Sequence, residues 1–459
     1  MYNYIDNLIL QFAEMMWGIP LLILLIGGGL YFTIYCRFIP FRYIKHGINI
    51  IRGKYDNPND PGQISHFQAL SSALASTVGM GNISGVAIAI HTGGPGAIFW
   101  MWISAIVGMA TKFFTCTLSI LYRGKDNNGE LQGGPMYVIK EALPKQFHFL
   151  AYLFSFAGLF GCFSLFQANQ LTQIIQEQVL IRFEIFNQNI FLGKLMIGIF
   201  IAIITSLVIF GGIRRIGRVS SRLVPAMVLL YIFCGFLILL YNINEIDDIF
   251  FLIIHDAFTG DAIAGGAMGT VIITGIRRAA FSNEAGIGTE SMAHGAAITK
   301  EPVREGLVAM LGPLIDTLII CTMTALMILL ADNWSGDAEG VTMTAQAFGT
   351  LLGPVGEWIV LIAVVCFAST TIFTYSFYGS QCTAFIFGSA NAKWYQLIFI
   401  SFVGIAGTLS MNTAVNLIDA CFALMAIPTM VSAILLAPQV TEAARIYWQN
   451  LNSTTQPQA

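Results

Sequence analysis

Two short segments hold the residues best able to do chemistry. One is Ser76–Gly85 (STVGMGNISG) and the other is Phe281–Gly288 (FSNEAGIG). Each sets two glycines two apart among Ser, Thr, Asn or Glu, inside a block otherwise apolar enough to cross a bilayer. Glycine lets the backbone leave helical geometry. Freed amides and carbonyls cannot face lipid, so such a break is buried in protein or lines a cavity. It also places a positive half-helix N-terminus and a negative C-terminus near mid-membrane. The first suits a carboxylate; released carbonyls with nearby hydroxyls suit a hard cation such as Na⁺. Close-packing glycines are the bland alternative. A packing stripe, however, does not call for Asn82, Asn283 and Glu284 at one depth. Gly27–Gly29 and Gly265–Gly266 lack polar companions and read as packing.

Further polar residues lie in apolar context. Intramembrane carboxylates are functional hypotheses by default, which singles out Glu284 and Asp316. Glu284 has three readings: cation ligand, proton carrier, or lock on the unwound backbone. We favour the lock or gate, because Arg277 and Arg278 are close in sequence and able to pair with it. Asp316 either accepts bonds from backbone and hydroxyl groups or couples a cation. Gln167 and Asn169 fit interhelical hydrogen bonding and substrate contact equally. Ser369, Thr370 and Thr371 precede Tyr375; such hydroxyls usually bond back to their own helix, but two facing a break are able to ligate a cation.

These residues need a scaffold of membrane helices. Of 459 residues, 56% are hydrophobic and only 10% charged, against about a quarter charged in soluble domains. Apolar blocks of about twenty residues match roughly 30 Å of hydrocarbon. Eleven spans are expected: Met16–Cys36, then 66–90, 96–122, 148–172, 190–212, 223–243, 258–289, 305–331, 355–380, 394–411 and 413–438. Basic residues orient them by the positive-inside rule. Arg37, Arg42, Lys45, Arg52 and Lys54 follow the first span, and Arg214, Arg215, Arg218 and Arg222 lie near 213–222. The connections near 244–257 and 332–340 carry acids and no Lys or Arg. The N-terminus is thus expected outside and the C-terminus, with a tail over 439–459, in the cytoplasm. After the first span come five spans (61–243) and five more (244–438), each set opened by a broken helix. An odd number inverts the second repeat, the architecture of inverted-repeat transporters.

Other chemistries find no support. The net charge of −3 comes without a basic stripe, so nucleic acid is not an expected partner. The eight cysteines form no CxxC pair and read as buried thiols. No GxxxxGK[ST] or HExxH occurs, which argues against an ATP-driven pump and a metalloenzyme. No nucleophile–base constellation suggests an enzyme. A channel would more naturally show a repeated filter loop or a subunit ring.

The chain resembles the alanine or glycine:cation symporter family, within the broad class that shares the LeuT fold. The resemblance is carried by Gly79–Ala87 (GMGNISGVA), Gly93–Trp102 (GGPGAIFWMW), Gly133–Tyr137 (GGPMY), Phe281–Gly288 and Gly312–Thr317 (GPLIDT). It implies an all-α transmembrane domain over 1–459, in a bacterial inner membrane. It implies Na⁺- or H⁺-coupled uptake of small neutral amino acids, with no other cofactor. By the same resemblance, Gly79 and the amides of Met80 and Gly81 meet the substrate carboxylate. Phe281, Asn283 and Tyr375 border the substrate, and Gln167 contacts its polar end. Asn82, Thr77 and Ser282 resemble one cation site; the Ala75 and Val78 carbonyls with Thr370 and Thr371 resemble a second. The family usually has Thr at Met80, Trp at Tyr375, and Glu-Lys in the turn that here reads Tyr378–Gln381. A different small amino acid is therefore the alternative cargo.

Overall fold

A computed structural model describes residues 2–127, 129–186, 189–259, 268–336 and 338–455. Gly265–Gly266 and part of the span expected near 258–289 lie outside these residues. The described chain is a bundle of helices, with one two-stranded hairpin pairing Gly124–Lys125 with Leu131–Gln132.

Among the described residues, seven helices are long and apolar enough to cross a bilayer, and two bent pairs raise this to nine. The expected spans near 258–289 and 394–411 are assembled from shorter pieces. The first comprises Met268–Asn283, a non-helical stretch, and Glu290–His294. The second is Ala392–Ile405 followed by a 3₁₀ turn. The span expected at Met16–Cys36 begins earlier, with a helix over Tyr2–Met16, and continues as Ile19–Tyr35 after a 48° bend. Pro20 explains the bend: it lacks an N–H and its ring crowds the carbonyl four residues back. The fourth span is also interrupted. His148–Gly161 ends at Ser164, whose φ is +54°, and Leu165–Ile175 then resumes.

Three stretches expected as connections are helical. The arginines of 213–222 form the first turns of Gly212–Tyr241. Arginine is a good helix former, so its long charged side chains extend the helix beyond the apolar segment. The acidic stretch near 244–257 folds into Ile246–Thr259, where Asp256 accepts the Gly96 amide at 2.7 Å. The expected C-terminal tail is the helix Ala437–Thr455.

The two broken helices run antiparallel. At one end Ile64, just before the helix His66–Thr77, pairs with Ala297, just after Glu290–His294. At the other end Gly93 packs on Thr274, and in the middle Gly81 packs on Ser282. The helices expected to open the two repeats thus run in opposite directions. The Ile64 end is closed by backbone pairing. Gln63 and Ile64 donate to the Ala296 carbonyl (2.8 and 3.2 Å), Ile298 donates to Ile64 (2.7 Å), and Thr299 donates to Pro61 (3.1 Å). Arg123 adds bonds to the carbonyls of Gly295 (2.7 Å) and Thr299 (3.1 Å). Beside it, the buried Glu305 carboxylate binds His66 and His294, joining the start of one broken helix to the end of the other.

Candidate functional site

The first break opens where Val78 leaves helical geometry (ψ 84°), and the chain resumes at Gly81 with a 47° change of direction. Over Gly81–Gly85 it is π-helical, a widening common at functional sites. The second break spans 284–289, with positive φ at Glu284, Gly286 and Gly288. A Cβ on Gly79 would fall 2.4 Å from the Thr371 hydroxyl; one on Gly81 would fall 2.9 Å from the Ser282 Cα. The two breaks therefore touch backbone to backbone, which requires a residue without a side chain. Gly81→Ala is expected to destabilise the protein by about 1–3 kcal/mol through overpacking and to suppress transport. Thermal unfolding and uptake check this against Gly269→Ala, where a Cβ meets nothing within 4 Å among the described residues.

Asp316 sits at this junction, on a π-helical stretch (Leu314–Cys321) of the helix Pro302–Leu330. Its carboxylate accepts from Asn82 Nδ2 (2.6 Å), Ser282 Oγ (2.8 Å) and Thr317 Oγ1 (2.7 Å). Asn82 belongs to the first break and Ser282 to the second. The Asn82 Oδ1 caps the Gly79 amide at 2.9 Å. Asn283 donates to Thr317 at 3.0 Å, and its own oxygen accepts the Ala285 amide. Asn82, Ser282, Asn283, Asp316 and Thr317 are all fully buried, and among the described residues no basic side chain pairs with Asp316. The Asp316 carboxylate with the Ser282 and Thr317 hydroxyls offers a hard cation the oxygen ligands it prefers, while both carboxamide oxygens are held by backbone amides.

Of the second expected cation group, Thr371 Oγ1 reaches the Ala75 carbonyl at 2.8 Å, beside the break. Thr370 is not brought there; its hydroxyl bonds back to Cys366 (2.9 Å) and faces Met227. Thr77, expected in the first cation group with Asn82 and Ser282, bonds back to Ala73 at 3.1 Å.

Glu284 is tied to three elements. It accepts from Thr289 (2.5 Å) in its own break and from Tyr375 (2.5 Å) on the helix Pro354–Phe387; Ser76 of the first broken helix lies 3.3 Å away. The expected pairing with Arg277 and Arg278 does not occur. Both arginines instead bind Asp419 of the helix Met411–Leu435, Arg277 at 2.7 Å, at the end of the site away from Ile64. Helix geometry explains this, since seven residues of rise carry Arg277 about 10 Å from Glu284. The Tyr375 hydroxyl is thereby engaged by Glu284. Phe281 packs edge-on against Phe166 (5.3 Å between centroids) and near Phe422. The neighbouring Gln167 has a buried side-chain oxygen without a partner. Asn169 is fixed structurally, donating to the Ala406 and Leu409 carbonyls.

Sequence reasoning passed over Lys112. It lies within the apolar helix Ala97–Leu121, almost fully buried, with its ammonium beside Gly312 of the helix that carries Asp316. A lysine inside a span was the available signal. Glu290 was also missed; Thr115 binds one of its oxygens at 3.2 Å.

Comparison with known proteins identifies the family and the fold. The profile of the sodium:alanine symporter family matches residues 2–459. The sodium/alanine symporter AgcS of Methanococcus maripaludis is 37% identical over 440 residues, 94% of each chain. The probable sodium/glutamine symporter GlnT of Bacillus subtilis is 31% identical over 465 residues, covering 100% of this chain and 94% of that one. The crystal structure of MhsT in complex with L-phenylalanine shares the fold, with a TM-score of 0.58 at 13% identity, over 84% of this chain and 99% of that one. On the match along its whole length, this chain belongs to the sodium:alanine symporter family.

Proposed function

We propose that this protein takes up a small neutral amino acid together with Na⁺ by alternating access. Its family is one of transporters, so the chain is a carrier and not an enzyme. The observation that carries the reading is the Asp316 carboxylate, held by Asn82 from one break and Ser282 from the other. A cation at this junction draws the two repeats together. The Met80 and Gly81 amides, at the start of the resumed helix, receive the substrate carboxylate; the next amide, of Asn82, already donates to the Gly79 carbonyl at 3.2 Å. Phe281 and Phe166 wall the apolar side, and the free oxygen of Gln167 takes the polar end. Alanine and glutamine are both named for relatives, so the cargo belongs to that neutral class. The basic residues after the first span support an outside N-terminus and a cytoplasmic C-terminus in a bacterial inner membrane.

Uptake into proteoliposomes tests the reading. An inward Na⁺ gradient is expected to drive accumulation of alanine, glycine or glutamine, and choline in its place is expected to stop it. If neither a Na⁺ nor an H⁺ gradient drives accumulation of any small neutral amino acid, symport is wrong. Conductance without accumulation would indicate a channel.

A further inference from the structure

A cleft of about 450 Å³ lies where the first membrane helix ends, away from the transport site. One wall carries Arg37, Arg42 and Tyr43; the other, from the helix Ala437–Thr455, carries Glu442, Arg445 and Trp448. Arg445 is spent on Glu442 in a two-bond fork of 2.9 and 2.6 Å. Arg37 and Arg42 meet no carboxylate among the described residues and are exposed. With three guanidinium groups and one carboxylate, the cleft carries a net charge of 3 − 1 = +2.

Two further features point to a ligand. Trp448 stacks on Tyr43 with 3.9 Å between centroids, yet its buried indole N–H has no acceptor among the described residues. The backbone that delivers Arg37 is strained. Arg37 and Phe38 are successive non-glycine residues in left-handed conformation (φ +54° and +61°). Such conformations persist where the surroundings impose them, often at ligand sites. The cleft opens beside the exposed Ile34, Tyr35, Phe38 and Phe41. It therefore joins a basic, aromatic pocket to an apolar wall at the end of a span, the level of lipid headgroups.

We propose that this cleft binds the phosphate of an anionic phospholipid, with its acyl chains along the exposed apolar side chains. Arg37 and Arg42 hold the phosphate oxygens, and the Trp448 N–H donates to a headgroup oxygen. Juxtamembrane basic pockets recognise anionic headgroups in this way. The proposal needs only that the chain spans a bilayer and does not depend on the cargo.

The test uses the full chain in neutral detergent. Phosphatidylglycerol is expected to raise the midpoint of thermal unfolding by several degrees, as a ligand of the folded state does. Phosphatidylcholine with the same tails is expected not to. The double variant Arg37→Gln/Arg42→Gln should keep its helical circular dichroism and lose most of the shift. Equal stabilisation by phosphatidylcholine, or an undiminished shift in the variant, overturns the proposal. So does an equal shift from inorganic phosphate, which would make the cleft a site for soluble anions. A second readout needs no arginine variant. Phosphatidylglycerol brominated in its tails should quench a share of indole fluorescence that Trp448→Phe lacks. Equal quenching of that share by brominated phosphatidylcholine again overturns it.

Discussion

Replacing Asp316 by Asn is expected to lower Na⁺-driven uptake about 100-fold while leaving most of the fold in place. The substitution keeps the size of the side chain. The oxygen of the new amide faces Asn82 Nδ2, which has no other role than to donate, at the present 2.6 Å contact. Its NH₂ then faces Ser282 and Thr317, whose hydroxyls are able to turn and accept. The hydrogen-bond pattern survives, but the charge does not. Bonds and ligand contacts to an ionised group contribute about 1.5–3 kcal/mol each, and about 2.8 kcal/mol corresponds to a factor of about 100. Initial uptake rates and the Na⁺ concentration for half-maximal rate would show it. Ser282→Ala, which removes one neutral hydroxyl, should shift Na⁺ affinity several-fold only. Unchanged Na⁺ dependence in Asp316→Asn would remove this residue from the cation site.

Asp419→Asn should have the larger effect on stability. Arg278 is almost fully buried and Arg277 mostly so, and both are held by this one carboxylate. Removing one partner of a buried ion pair costs about 3–5 kcal/mol, because the remaining charge is stranded. Thermal unfolding of the purified variant should register a loss of this size. Adding Arg278→Met, which takes away one stranded charge, should recover part of it. A single variant as stable as the wild type would mean that water already screens the cluster. The same pair closes one end of the site, so its loss should also speed modification of Cys321, whose thiol lies 3.2 Å from Ser282 Oγ.

The breaks were legible because glycine beside Asn, Ser and Glu is rare in a membrane block. Asn82, Ser282 and Asp316 were legible individually; their meeting was not, since it joins residues 34 and 234 positions apart. Thr370 and Thr371 show a second limit. Adjacent helix residues point about 100° apart, and composition does not say which one faces the break. The Arg277–Arg278 pairing failed on range, because Asp419 lies 142 residues beyond Arg277. Ser164 interrupts its helix without a glycine pair to mark the position.

The strip that joins 61–64 to 296–299 is made by main-chain groups. Most side chains along it therefore contribute little to its strength, with Gly62 and Arg123 as exceptions. Mutation is free to vary the cation site, the pocket walls and Asp419 while this closure stays constant. Side chains enter this seal chiefly by exclusion: Gly62 has φ +144°, and a Cβ there would fall 2.3 Å from the Ala297 carbonyl oxygen.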